Sequence, residues 1–309
     1  MTRSLRLLDN ESGVVEVTSR TLHGRFLLRP SAEVNELILG VLGRAQAKYS
    51  VELFAFVFLS NHFHILMRVD SAHQMAGFTG FLKANIAKEL GHLSDWSEKF
   101  WGRRYHSASV ADSEQAQAAR FLYILANGCK EGLVSSPLAW PGVSSASALY
   151  RGQSTLQGVW FDRTAEYRAG LRRGSKPFPN VEVVRLSPLP FLEGLAPSEQ
   201  REFAVGAVRQ VEEETRSLHR AEGTKPLGVR HITGRDPHDK PQKFQSSHAP
   251  LFHAATRDEF QQMRYARELK VAAYRQAAQR LRQRGNVDIQ FPTGCFPPPA
   301  PFVQMRAPP

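Results

Sequence analysis

Two short apolar runs set end to end constrain this chain more than any other feature. Val51 to Leu59 is β-branched and aromatic on both faces, the pattern of a strand buried on both sides. Ser60 and Asn61 break the run, and His62 to Val69 resumes as a second strand. A strand pair of this kind needs a sheet around it, and the neighbouring segments supply one. Val14 to Leu28 reads as strand-rich, with Val15 and Val17 on one face and Gly24 marking a turn. Ser31 caps a helix that carries Val34, Leu37, Ile38, Val41 and Leu42 at helical spacing. From about Ser71 to His92 the positions Met75, Phe78, Phe81, Leu82, Ile86 and Leu90 return to a helical period. Phe100 to Tyr105 reads as a short strand or loop. Asp112 or Ser113 then opens a helix to about Asn127, closed by Gly128. The order strand, helix, strand pair, helix, helix predicts a compact α/β or α+β domain over residues 1–150, with a small sheet at least partly antiparallel.

The chain has 309 residues, room for two domains or for one with a long extension. Its formal charge of +11 and pI near 9.9 favour a polyanionic partner: DNA, RNA or an acidic membrane surface. Only Cys129 and Cys295 occur, too few for a disulfide framework, which favours a reducing compartment. The first residues, Met1 to Arg6, lack a long apolar h-region, and no apolar stretch reaches the length of a membrane span. These features predict a cytoplasmic protein without a membrane partner. After Tyr150 the character changes. Pro177, Pro179, Pro188, Pro190 and Pro197 predict a linker or extended segment over residues 174–198, and Leu195 to about Glu222 reads as a helix. Gly223 to Pro250 reads as irregular, Thr256 to Arg284 as a long basic helix, and the end from Phe291 as extended. The expected division is therefore a domain over 1–150 and a basic, mainly helical and irregular extension over 151–309, serving as a DNA-binding or packing arm.

Alternation along a strand sends His62, His64, Leu66 and Arg68 to one face, and Phe63, Ile65, Met67 and Val69 to the other. Two imidazoles roughly 7 Å apart at Cα on one face can converge on a divalent cation. Alone, His-x-His equally describes two half-buried histidines of an ordinary strand. In the helix near residue 120, Ala118, Phe121, Leu122 and Leu125 form the apolar stripe. The other stripe holds Arg120, Tyr123, Asn127 and Lys130, with Tyr123 and Asn127 one above the other. A phenol sharing a face with an amide oxygen suits phosphodiester chemistry, the phenol attacking phosphorus while the amide helps hold a metal. Alone, it also describes an amphipathic helix with a tyrosine at the rim of the core.

Together these elements resemble the single-tyrosine HUH transposases, and within that superfamily the REP-associated tyrosine transposase branch. The resemblance covers residues 14 to 150. It is carried by Val57-Phe58-Leu59-Ser60-Asn61-His62-Phe63-His64-Ile65-Leu66, by Phe100-Trp101-Gly102-Arg103-Arg104-Tyr105, and by Leu122-Tyr123-Ile124-Leu125-Ala126-Asn127 with Lys130 and Gly132. It implies a ferredoxin-like α+β domain in which a small antiparallel sheet is flanked by helices. It implies His62, His64 and Asn127 as metal ligands for Mg²⁺ or Mn²⁺, and Tyr123 as nucleophile. The implied reaction cuts single-stranded DNA, forms a 5′-phosphotyrosine link, frees a 3′-hydroxyl and needs no external energy source. Gly128 and Cys129 stand where the branch usually has proline and valine, and Ser60 stands where it usually has proline. Neither departure removes a reacting group, and both are compatible with a retuned or domesticated protein.

Lys83, Arg103, Arg104, Arg120 and Lys130 flank the expected site and are the candidate DNA-binding residues, Arg103 and Arg104 beside the aromatic rings of Trp101 and Tyr105. His23 and His106 are weaker candidates for assisting the site. His231, His238, His248 and His253 are too irregularly spaced, without cysteine partners, for a zinc site. The expected partner is single-stranded or hairpin DNA, the expected setting the nucleoid, and a homodimer is one assembly consistent with the sequence. The competing readings are a domesticated DNA-binding protein without cleavage, a replication or conjugation nickase, and a metal hydrolase with a water nucleophile. Ala126 stands where such nickases often carry lysine.

Overall fold

The computed structural model describes residues 13–168, 179–242, 250–284 and 289–298. Met1 to Arg6, Pro177 and His248, named above, lie outside these residues. In chain order the first elements are β1 (Gly13–Arg20), α1 (Ala32–Tyr49), β2 (Glu52–Phe58), β3 (His62–Val69), α2 (Ala72–Leu93), β4 (His106–Val110) and α3 (Glu114–Lys130). They are followed by α4 (Ala146–Tyr150), β5 (Thr155–Phe161), α5 (Arg163–Arg168), β6 (Pro179–Arg185), α6 (Pro197–Glu222), α7 (Val229–Thr233), β7 (Phe252–His253) and α8 (Arg257–Arg284).

The main sheet has the order β2-β3-β1-β4-β7. Its first four strands are mutually antiparallel, and β7 pairs parallel to β4 at the edge. The progression β1-α1-β2-β3-α2-β4 with this strand order is ferredoxin-like, an α+β fold with a small sheet flanked by helices. Ser31, Ser71 and Ser113 cap α1, α2 and α3, each accepting a hydrogen bond from the backbone N–H three residues on. The sheet separates two apolar layers. Val15, Val17, Phe56, Phe63, Ile65 and Met67 pack under α1 and α2. On the opposite face Val14, Val57 and Leu66 meet Phe121, Ile124 and Leu125 of α3, with Val208 and Val211 of α6 in the same cluster. That second face carries His62 and His64. Among the described residues no helix is long and apolar enough to cross a membrane.

Three local expectations change. Phe100 to Tyr105 form a loop, one of the two forms expected, in which Trp101 is buried and bridges Thr21, and the strand His106–Val110 that follows was not expected. The polar sequence His-Ser-Ala-Ser-Val conceals that strand, which is made by ladder bonds to β1. Gly128 does not end α3, which runs on to Lys130. A Cβ at Gly128 would meet Val134 Cγ2 at 3.2 Å, so this glycine admits a neighbour, and Gly132 at φ +66° makes the turn. Within the expected linker or extended segment, the chain is extended and also paired: β6 joins β5 from Phe161↔Pro179 to Thr155↔Arg185. This hairpin lies against α1, and Pro179 at its first position sacrifices little of the ladder.

Candidate active site

Antiparallel register brings the second face together. Thr18 lies opposite His64 and Arg20 opposite His62, so Glu16, His64, His62 and Arg20 share one surface. The His62 and His64 ring centroids are 5.1 Å apart. Across from them α3 presents Tyr123, whose ring centroid is 5.7 Å from that of His64. Asn127, one turn further on, is 3% exposed, and its Oδ1 has no well-formed hydrogen bond. Proximity of this amide nevertheless favours the protonated His62 slightly.

Neighbouring groups fix the tautomer of each imidazole. Asn61 Nδ2 donates to the Gly24 carbonyl at 3.1 Å, which leaves Asn61 Oδ1 to accept from His62 Nδ1 at 2.6 Å. His64 Nδ1 donates to Glu16 Oε1 at 2.6 Å. Both Nε2 atoms therefore keep their lone pairs. Burial, assisted by the neighbouring His64 and Arg20, pushes the His62 imidazole down to about 3, so it is neutral at ordinary pH. Two neutral imidazoles sharing an ion at about 2.1 Å have ring centroids about 5 Å apart, close to the spacing found. Among the described residues no group of three His, Cys, Asp or Glu side chains could hold a metal. With the two histidines, the third protein ligand available is the buried amide oxygen of Asn127. A divalent cation thus fits the donors present, and the outer carboxylate on His64 is the partner a metal-binding imidazole commonly has.

Glu16 is the centre of the surrounding network. Its Oε1 accepts from His64 Nδ1 and from Arg120 Nη2 at 3.0 Å. Its Oε2 accepts from His253 Nε2 at 2.7 Å and lies 2.9 Å from Arg120 Nε. Burial alone would raise this carboxyl. Hydrogen bonds from His253 and His64, with the electrostatic influence of His64 and Arg120, instead hold it well below the usual carboxylate range. Arg120 also lies over the Tyr123 ring, its Cζ 3.5 Å from the centroid, and Lys130 Nζ is 4.1 Å from the same centroid.

The remaining candidates lie elsewhere. Lys83 Nζ donates to the Arg103 carbonyl at 3.1 Å and sits over Trp101, whose ring packs on Phe63 of the opposite sheet face. Arg103 and Arg104 are exposed in the same loop. His23 is in a left-handed turn at φ 54°, and His106 Nε2 bonds the Pro250 carbonyl at 2.7 Å. The sequence reading did not single out Glu16, and it set His253 aside. A carboxylate at an inward position of β1 between Val15 and Val17 was a readable signal for Glu16. Nothing local marked His253, which is 237 residues away from Glu16 along the chain.

The ferredoxin-like sheet thus carries two imidazoles on one face, beside the tyrosine of α3. Residues 28–124, less than half of the chain, match the family model described as transposase IS200 like. Two similar solved structures are reported for their likeness alone. One is described as a REP-associated tyrosine transposase bound to a REP hairpin: 15% identity, 56% of this chain and 87% of that chain covered, TM-score 0.37. The other is a candidate transposase from Deinococcus radiodurans R1: 21% identity, 40% of this chain and 95% of that chain covered, TM-score 0.29. A search of curated proteins gives no match.

Proposed function

We propose that this protein is a single-stranded DNA endonuclease and strand transferase in which Tyr123 is the nucleophile and His62, His64 and Asn127 hold Mg²⁺ or Mn²⁺. The observation that carries the reading is the approach of the Tyr123 ring to His64, beside a paired His62 and a buried amide oxygen without a well-formed hydrogen bond. A bound divalent ion would polarise the scissile phosphate and neutralise charge in the transition state. Glu16 and Asn61 hold the imidazoles with their Nε2 lone pairs free. Arg120 and Lys130 orient the phenol ring and place positive charge where a phosphate approaches. The phenol gives its proton to solvent water and its oxygen bonds phosphorus. The bond to the 3′ oxygen breaks, and that oxygen leaves as a hydroxyl after taking up a proton. Rejoining is the reverse displacement by a 3′-hydroxyl, so no external energy source enters.

The basic 151–309 region, α8 above all, is proposed to grip the backbone of a hairpin flanking the cut, with Lys83, Arg103 and Arg104 as further phosphate contacts. The setting proposed is the cytoplasm, on the nucleoid. Incubating a 5′-flanked hairpin oligonucleotide with the protein and Mn²⁺ should give a covalent 5′ adduct that resists denaturation. The Tyr123→Phe variant should bind the oligonucleotide within about twofold of wild type yet form no adduct, since it lacks only the attacking oxygen. Selective binding with no adduct from the wild-type protein would instead establish a DNA-binding protein that keeps the fold without cleavage.

A further inference from the structure

We infer that His253, delivered to the sheet edge by β7, is a positioning residue of the nicking centre, acting on His64 and Tyr123 through Glu16 and Arg120. The inference rests on the tyrosine-transfer reading of the site. Its geometry is a closed set of contacts. His253 Nε2 meets Glu16 Oε2 at 2.7 Å, which assigns the proton to Nε2 and leaves Nδ1 to accept from Arg120 Nη1 at 3.5 Å. Arg120 returns to the same carboxylate through Nη2 at 3.0 Å. The opposite oxygen of Glu16, Oε1, accepts the hydrogen bond from His64 Nδ1. His253 thus borders both arms of the network: one sets the tautomer and orientation of His64, the other sets the guanidinium plane on which the Tyr123 ring rests.

Anchoring β7 is a separate matter, already met by its backbone and by Phe252. Ser109 N–H donates to the Leu251 carbonyl at 3.2 Å, Ala111 N–H to the His253 carbonyl at 2.8 Å, and Phe252 is buried. The imidazole of His253 is not needed for that docking. What it supplies is an N–H donor to a carboxylate that is otherwise shared by His64 and Arg120. Without it, Glu16 can turn toward the arginine, and His64 loses its fixed partner.

The test uses full-length His253→Ala and His253→Gln, the glutamine amide replacing the Nε2 donor at similar reach. Mn²⁺ affinity of the DNA-free protein, adduct formation in a single turnover and the melting temperature are each measured. Expected for His253→Ala is a loss of Mn²⁺ affinity of about tenfold, the low end for outer-shell partners, with slower adduct formation. His253→Gln should return both to within about threefold of wild type. Unchanged Mn²⁺ affinity in His253→Ala overturns the inference. So does a glutamine variant no better than alanine, or a wild-type protein that binds no Mn²⁺. A wild-type protein that binds Mn²⁺ but forms no adduct sinks the proposed reaction alone, because the alanine-to-glutamine difference in Mn²⁺ affinity still tests the role of His253.

Discussion

Asn127 is a residue whose burial is poorly repaid by the protein alone. Its Oδ1 is enclosed by α3 without a well-formed hydrogen bond, and such a group costs about 1–3 kcal/mol. A bound cation would remove that cost. Mn²⁺ at about 100 times its Kd should therefore stabilise the wild-type protein by about 2.7 kcal/mol. Asn127→Ala should lose most of this stabilisation while melting close to wild type in chelator; an equal Mn²⁺-induced rise in both proteins would remove Asn127 from the ligand set. His62 adds a pH dependence. Above its ordinary value of 6.5 the imidazole is neutral in both folded and unfolded chains. Below it the unfolded chain takes up a proton that the folded chain refuses until about pH 3, so stability falls as pH falls through this window. In chelator the slope between pH 6.5 and 5 should approach about 1.4 kcal/mol per pH unit, and His62→Asn should flatten it in urea titrations.

At the scale of elements, the hairpin β5–β6 against α1 depends on two glycines that let backbones touch. A Cβ at Gly40 would lie 2.0 Å from the Val159 carbonyl oxygen, and one at Gly158 would lie 2.3 Å from Gly40 N. Helix propensity alone predicts that Gly40→Ala stabilises α1 by about 1 kcal/mol. The contact reverses that sign, because backbone on the far side cannot move aside as a flexible side chain can. Gly40→Ala should cost about 3 kcal/mol, read as a lower melting temperature. Helix α3 shows the same lesson from sequence. Its start at Ser113 and its polar stripe of Arg120, Tyr123 and Asn127 were legible, because capping and period are local. Its end was not, because the role of Gly128 is set by Val134 and Trp140, which arrive from beyond the helix.

For the whole molecule the dominant quantity is charge. A chain at +11 attracts a polyanion at long range, and salt screens that attraction. Arg257, Arg275 and Arg280 are exposed on α8, away from the Tyr123 site in sequence. Replacing all three by glutamine should weaken binding to a single-stranded oligonucleotide and reduce the slope of log K against log salt by about 2. An unchanged slope would show that α8 does not contact the phosphates. By itself the sequence determined the strand pair, the three capped helices, the histidine face and the tyrosine stripe, since alternation, helical period and capping act over a few residues. Only the tertiary structure decided that Glu16 would join His64 to Arg120, that β6 would pair where prolines suggested a linker or extended segment, and that His253 would reach the same carboxylate. Those depend on strand register and on contacts between distant segments, which no short-range pattern encodes.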